Sequence, residues 1–311
     1  MVQQQAMLKN PQKKRKRKLQ SILFQISIYF YPLALFCVFW IGTNTNSIIM
    51  AFQNISALDG TRTFAGFDNF VEFFEGMFGQ SDNVLLRTSF LNSFKMFFIS
   101  FFTTMPLYLL FSYYIFKKFT GTRIFMILIM LPSIVSGFII ALVFKRFVNV
   151  VFPSVFGDNF PDLFNDPNYT FGTCLFYMIW LSFSTSLIVY PNAMRSIDPQ
   201  ILESARIDGC GCWREFWSII FPLIMPTLST FIVLGVSDIF ITSGPIVTFF
   251  QFDAPPEVYT FGYYFTAQVK TATNESGYPL MAAGGLILTV LSCPATFLVK
   301  WLLEKVTPEV N

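Results

Sequence analysis

Residue types that carry out most protein chemistry are scarce or badly spaced in this chain. The sequence contains no histidine, which removes the commonest general base and the commonest metal ligand. Of the five cysteines, only Cys210 and Cys212 lie close together, and their spacing matches neither a zinc site nor a thioredoxin-type motif. No G-x-S-x-G sequence marks a serine nucleophile, and no G-x-x-x-x-G-K-[ST] sequence marks an ATP-binding loop. We therefore predict no catalytic residue and no metal site.

Two polar features remain, and each needs a structural context before its role can be judged. The first is the sequence ESARIDGCGCWREFWSIIFPL, from Glu203 to Leu223, which concentrates charges between long apolar runs. The second is Asp238, an acidic residue inside one of those runs. A charge in an apolar environment is costly, so it marks a functional candidate by default.

The composition indicates that the surrounding elements are membrane helices. The chain has 311 residues, of which 54% are hydrophobic, 19% aromatic and 13% charged, whereas a soluble domain carries about 25% charged residues. The 41 phenylalanines are too many for one soluble core. We therefore predict an all-α, polytopic membrane protein.

Six stretches contain the roughly 20 mostly apolar residues that a transmembrane helix needs. Prolines and glycines inside several of them are tolerated, because neighbouring helices satisfy the freed carbonyl groups. The first stretch is too long for a signal peptide and lacks its small-residue cleavage site. The predicted spans are Ser21–Trp40 (or as far as Phe52), Ser89–Phe116, Ile124–Phe147, Phe171–Met194, Phe221–Pro245 and Tyr278–Leu303.

Lysines and arginines collect on alternate connections, which predicts the orientation of the spans. The run KKRKRK, from Lys13 to Lys18, directly precedes the first span. It fits a membrane anchor that contacts anionic lipid better than a nucleic-acid patch. We predict cytoplasmic N- and C-termini, a basic cytoplasmic tail (1–20) and a transmembrane domain (21–311). This orientation places the Glu203–Leu223 stretch in the cytoplasm.

The polar stretch has the pattern of a helix, a glycine turn and a second helix. Asp198 and Pro199 are a good N-cap and first helical residue. Gly209 and Gly211 then favour a sharp turn, and an aromatic helix follows as far as Pro222. Helix physics alone leaves two interpretations open: an amphipathic pair that lies on lipid, or a helix that docks into a groove on a soluble partner.

The spacing within this stretch resembles the EAA loop of ABC importer permeases. The family pattern reads E-A-A, three residues, G, nine residues, then I-x-L-P, and the chain keeps that spacing throughout. Ser204 replaces one alanine and Phe221 replaces the leucine, whereas Asp208 before the glycine matches a frequent variant. The resemblance covers a loop at about 195–222 and assigns ATPase coupling to Glu203, Ser204, Ala205, Asp208, Gly209, Ile219 and Pro222.

Three further segments resemble the sugar-type members of this family, which include the maltose, glycerol-phosphate and oligosaccharide permeases. They are GFDNFVEFF (Gly66–Phe74), the segment Lys117–Gly137, and VSDIFITSGP (Val236–Pro245). The last one departs from the family's usual doubled glycine, because it carries Ser243 before Gly244.

This resemblance implies one half of a type I importer in a bacterial cytoplasmic membrane. A second permease subunit would complete a heterodimer, two cytoplasmic ATPase subunits would bind the coupling loops, and an extracytoplasmic solute-binding protein would deliver a sugar or oligosaccharide. The chain would then need no cofactor of its own, since the ATPase subunits use the ATP. Membrane lipid is an expected contact, and nucleic acid is not.

The resemblance also places a substrate path at the end of the fifth span, formed by Asp238, Phe240, Thr242 and Gly244. Asp238 has a purely structural alternative, in which it pairs with a polar group on a neighbouring helix, and Lys95 in the second span is a candidate partner.

Two other functional classes compete with an importer permease. An ion-gradient-driven secondary transporter would show more spans, an inverted repeat and paired intramembrane acids. An intramembrane enzyme would need a nucleophile with its base, a carboxylate pair or a metal cluster. The cytoplasmic EAA-like loop and the single central acid favour the permease.

Overall fold

The computed structural model describes residues 11–79, 84–157 and 160–306. Within these ranges the chain is helical apart from loops and one two-stranded hairpin. Six helices are long and apolar enough to cross a membrane, which confirms the predicted all-α polytopic class. They are Gln20–Ala51, Val84–Phe116, Gly137–Phe156, Pro167–Arg195, Cys212–Ser237 and Glu275–Val306.

The first span is long and packs on the rest of the chain only at its end. Helix α1 (Pro11–Leu35) continues through a π-helical turn (Phe36–Ile41) into α2 (Gly42–Ala51). Residues 20–50 are exposed or half-buried, and Ala51, the next residue, is fully buried. Residues 21–41 of this span therefore present a largely apolar surface to lipid or to another protein, whereas residues 43–47 are polar.

A hairpin and a short helix connect the first two spans. Strand β1 (Gln53–Ile55) pairs antiparallel with β2 (Arg62–Phe64), and α3 (Asp68–Phe78) follows. The Asn69 amide holds α3 against the end of the first span, because it donates to the carbonyl groups of Ala51 (3.0 Å) and Gln53 (2.8 Å).

The second span, α4 (Val84–Phe116), is continuous, but the third predicted span is not. The prediction of one helix over Ile124–Phe147 is wrong. Helix α5 (Thr122–Ile134) ends, residue 135 is extended, and α6 (Gly137–Arg146) begins. Proline at position 132 removes one backbone hydrogen bond and the β-branched valine at position 135 favours extended backbone, so a break there is inexpensive. Helix α6 then continues through a π-helical turn (Phe147–Val151) into α7 (Phe152–Phe156).

The fourth span leads into the polar stretch and then into the fifth span. Helix α8 (Pro167–Arg195) packs against α4, and its Ser182 side chain accepts a hydrogen bond from the Tyr108 hydroxyl of α4. The polar stretch and the fifth span comprise α9 (Pro199–Ile207), α10 (Cys212–Glu215), a π-helical turn (Phe216–Ile220) and α11 (Phe221–Ser237).

The fifth span ends eight residues earlier than the predicted Pro245. Helix α11 stops at Ser237, and residues 238–245 form a turn in which Gly244 has a φ of +55°. This left-handed conformation, followed by a proline, cannot continue a helix. The remaining elements are α12 (Ile246–Phe250), a 3₁₀ turn (Pro256–Val258), α13 (Phe261–Thr271), a second 3₁₀ turn (Glu275–Gly277) and the last span, α14 (Tyr278–Val306).

Candidate functional site

The first half of the polar stretch forms the capped helix that its sequence predicts. The Asp198 carboxylate accepts a hydrogen bond from the Gln200 backbone N–H at 2.9 Å, and Pro199 is the first residue of α9. This cap satisfies one of the N–H groups that the first helical turn leaves free.

Helix α9 divides the predicted coupling residues between two faces. Ala205 is buried together with Leu202, and both face the body of the protein. Glu203, Ser204 and Asp208 are exposed. The exposed face also carries Ile207, which is 86% exposed. The exposed face therefore combines charged side chains of both signs, including Arg206, with one apolar side chain.

Gly209 makes the turn between the two helices of the stretch. Its φ is +74°, a region that residues with a Cβ enter at a cost of roughly 1–2 kcal/mol. Its backbone N–H donates to the Arg206 carbonyl at 3.1 Å, and the next N–H donates to the Ala205 carbonyl at 2.9 Å. The glycine therefore ends α9 and satisfies its last carbonyl groups.

The second half of the stretch runs without a break into the fifth span. Phe216 and Ile220 are buried, Ile219 is half-buried, and Pro222 lies in the first turn of α11. Trp213 and its neighbour one turn later, Trp217, are 67% and 55% exposed. The glycine turn is therefore followed directly by one continuous helix, Cys212–Ser237, which includes the fifth span.

A buried ion pair attaches this half of the stretch to the second span, and sequence reasoning missed it. Lys117 lies one residue beyond α4, and its ammonium nitrogen is 2.5 Å from a carboxylate oxygen of Glu215. The two residues are 98 positions apart. The only signal in the sequence was an acid next to Phe216 in an amphipathic helix, and this signal is too weak to predict a pair.

Two of the four predicted path residues line one cavity. This first cavity has a volume of about 220 Å³ and lies between α4, α8 and the end of α11. Asp238 and Thr242 line it, facing three hydroxyl side chains of α4. These hydroxyl-bearing residues of α4 are Ser93, Ser100 and Thr104.

The third path residue, Gly244, lines a neighbouring cavity of about 470 Å³. The break in the third span forms one wall of this second cavity, through Ser133 and Gly137. Met178 of α8 lines both cavities. The two spaces therefore adjoin at one side chain, next to the turn that follows α11.

The fourth path residue, Phe240, lies in the core instead. It is 8% exposed, and its ring packs against those of Phe90, Phe94 and Phe261. Lys95 is exposed, and in the described ranges no ion pair joins it to Asp238. The structure thus brings Asp238, Thr242 and Gly244 to the cavities and leaves Phe240 as packing.

Comparisons with known proteins identify a family and several relatives of this chain. Residues 77–308 match the model of a family described as "Binding-protein-dependent transport system inner membrane component". The multiple sugar-binding transport system permease protein MsmF of Streptococcus mutans is 26% identical over 123 residues, which are 38% of this chain and 42% of MsmF. The polygalacturonan/rhamnogalacturonan transport system permease protein YteP of Bacillus subtilis is 29% identical over 130 residues, 40% of this chain and 39% of YteP.

A third curated relative and a solved structure agree with these matches. The maltose/maltodextrin transport system permease protein MalF of Salmonella typhimurium is 27% identical over 120 residues, 36% of this chain and 23% of MalF. The aligned part is thus less than half the length of these curated relatives. A crystal structure of a bacterial ABC transporter that imports the acidic polysaccharide alginate has a TM-score of 0.73 at 18% identity, and covers 94% of this chain and 100% of that one. At this identity the likeness shows a shared fold.

Proposed function

Because the chain belongs to the family of binding-protein-dependent transport system inner membrane components, we propose that it forms half of the translocation pathway of an ATP-driven importer. The family comprises membrane-embedded transport components rather than enzymes, and the six candidate spans agree with a multi-pass member. The match to a family of binding-protein-dependent components supports the importer over an ion-gradient-driven transporter.

The geometry of the Glu203–Pro222 loop carries this proposal. Its helix, glycine turn and second helix are present in three dimensions, with Glu203 and Asp208 exposed and Ala205 buried. The exposed side is free to bind a cytoplasmic ATPase subunit, and the buried side is fixed to the spans. The proposed orientation, with both termini in the cytoplasm, places this loop on the side where ATP is available.

The first span supports a second permease subunit as a further partner. Its aromatic and aliphatic side chains from residue 20 to residue 41 pack on almost nothing within the chain. A helix that is apolar on all sides is covered by lipid or by another subunit. We propose a heterodimer in which a second permease covers part of this surface, with a solute-binding protein on the opposite side of the membrane from the ATPases.

The proposed substrate is a sugar or oligosaccharide, as the names of the matched relatives suggest. The lining of the first cavity suits a single sugar unit, because it combines a carboxylate and several hydroxyl groups with the apolar rings of Phe97 and Phe101. Carboxylates and hydroxyls bind sugar hydroxyl groups, and aromatic rings pack on the C–H faces of sugars.

Replacing Asp238 by asparagine should lower uptake about tenfold, because a hydrogen bond to a charged group contributes roughly 1.5–3 kcal/mol. The measurement is uptake of a labelled oligosaccharide by membrane vesicles that contain the assembled importer. Ser237→Ala is the matched control, since this neighbour does not line the cavity and its hydroxyl bonds to the Leu234 carbonyl at 2.7 Å. Equal uptake by Asp238→Asn and the unmodified chain would assign Asp238 a structural role only.

Replacing Glu203 by alanine should weaken binding of the ATPase subunit roughly tenfold, since it removes an exposed charge from the proposed docking face. The measurement is the amount of ATPase that co-purifies with the permease across a dilution series. Gln200→Ala, an exposed residue one turn earlier on α9, serves as the control. Undiminished association in Glu203→Ala, with undiminished substrate-stimulated ATP hydrolysis, would count against the docking role of this loop.

A further inference from the structure

The Lys117–Glu215 ion pair has no role in the function proposed so far. The Lys117 ammonium group lies 2.5 Å from one carboxylate oxygen of Glu215 and 2.7 Å from the other. The two side chains are only 11% and 2% exposed. Burying two charges costs desolvation energy that their attraction offsets only in good geometry, and well-packed apolar residues would often be as stable. The pair therefore calls for an explanation other than stability.

A second polar contact lies beside the pair. The Tyr113 hydroxyl of α4 donates to the Cys212 carbonyl at 3.1 Å. The same tyrosine ring lies 5.7 Å from the Lys117 nitrogen and 5.1 Å from the Phe216 ring. We call these five residues, Tyr113, Lys117, Cys212, Glu215 and Phe216, the α4–loop joint.

The polar contacts of the joint fix the relative position of the second span and the loop. Apolar packing around Phe216 and Ile220 holds the two elements together but is not directional. A charge-assisted hydrogen bond and a hydroxyl–carbonyl bond are directional, so they keep one relative position when the loop moves. The end of α4 should therefore follow the loop rather than slide past it.

Both elements that the joint connects reach the first cavity. Helix α4 contributes Ser93, Ser100 and Thr104 to the cavity wall. The end of the continuous helix Cys212–Ser237 contributes Gly235, and Asp238 directly follows this helix. A displacement of the loop reaches one wall through the helix itself. It reaches the other wall through the α4–loop joint.

Building on the proposed function, we propose that the α4–loop joint transmits movement of the coupling loop to the second span, in addition to the movement that the loop transmits to the fifth span. Lys117 and Glu215 are then positioning residues for transport. The ATPase moves the loop, the fifth span moves with it, and the ion pair moves the second span in step. Without the pair, the ATPase would still bind and hydrolyse ATP, but the two cavity walls would no longer move together.

The test uses the whole importer, with both permeases, the ATPase and the solute-binding protein, in proteoliposomes. The variants are Glu215→Gln, Lys117→Met and the charge exchange Lys117→Glu/Glu215→Lys. One control is Lys118→Met, an exposed neighbour; the other is Glu304→Gln, which belongs to an exposed ion pair with Lys300 at 3.8 Å. The readouts are ATPase association, ATP hydrolysis and labelled oligosaccharide taken up per ATP.

We expect both single variants to retain the ATPase and to lose at least tenfold in uptake per ATP. The charge exchange should recover at least half of the coupling, and both controls should stay within twofold of the unmodified chain. Uptake per ATP within twofold of normal in Glu215→Gln would overturn the proposal.

Assembly defects are also decisive. If the single variants fail to assemble, a charge-exchange variant that assembles and couples supports the proposal, and one that assembles without coupling overturns it. Loss of assembly in all three would make the pair a folding contact only, which also overturns it. Failure of the unmodified chain to bind the ATPase would instead contradict the proposed function, and this proposal with it.

Discussion

Gly209→Pro should abolish ATP-coupled uptake, with a loss on the order of 100-fold, or about 3 kcal/mol. Proline fixes φ near −65°, whereas this position has a φ of +74°. The substitution also removes the N–H group that donates to the Arg206 carbonyl. The turn would therefore open, and the exposed acid Glu203 would lose its fixed position relative to Trp213 and the fifth span.

Two further variants, Gly209→Ala and Gly211→Ala, distinguish the effect of backbone strain in this turn from the effect of adding a side chain. At Gly209 an added Cβ meets no atom within 4 Å, so Gly209→Ala carries only the strain of the left-handed conformation, roughly 1–2 kcal/mol. Gly211 also has open space around a Cβ, but its φ of −73° suits any residue. Uptake should decrease in the order Gly211→Ala, Gly209→Ala, Gly209→Pro. Near-normal uptake in Gly209→Pro would show that the turn does not transmit movement.

Gly262→Ala should destabilise the folded permease by about 3 kcal/mol, because the added methyl group would overlap with backbone atoms. A Cβ on Gly262 would lie 2.1 Å from the Ile241 carbonyl oxygen and 2.6 Å from the Thr242 carbonyl carbon. Both atoms belong to the backbone of the turn that borders the first cavity, so no side chain can rotate out of the way. Helix α13 would have to move away from this turn.

Such a shift would also disrupt the contacts that hold the start of α13. The Thr260 hydroxyl donates to the Thr242 carbonyl at 3.2 Å, and the Phe261 N–H donates to the Ser93 hydroxyl at 3.0 Å. Thermal unfolding in detergent measures the effect, which should be a fall in Tm of several degrees. Gly285→Ala, on α14, is the control, since nothing lies within 4 Å of its Cβ. An unchanged Tm in Gly262→Ala would mean that the turn and α13 are not in close contact.

Features determined by neighbouring residues could be predicted from the sequence. The apolar runs predicted six spans, and Asp198 with Pro199 predicted the start of α9, because capping involves atoms only two residues apart. The turn at Gly209 was predicted for the same reason: a glycine at the end of an amphipathic helix favours a left-handed conformation.

Features that depend on residues far apart in the sequence could not be predicted from it. The break before Gly137 and the end of the fifth span at Ser237 have local causes, but they were missed because the apolar character of both segments continues past them. Phe240 lies two residues from the cavity-lining Asp238 but packs into an aromatic cluster on α4 and α13. Apolar periodicity shows that a side chain is buried, but it does not show whether a cavity or a packed core surrounds it.

The central claim is that ATP hydrolysis by a separate subunit drives solute through this chain. Its most direct test is uptake of labelled oligosaccharides by proteoliposomes that contain the permease pair and the ATPase, with solute-binding protein added on the opposite face. The account predicts uptake that requires both ATP and the loaded binding protein, continues when ionophores collapse ion gradients, and is lost in Gly209→Pro. Uptake that proceeds without ATP and stops when ionophores are added would contradict it.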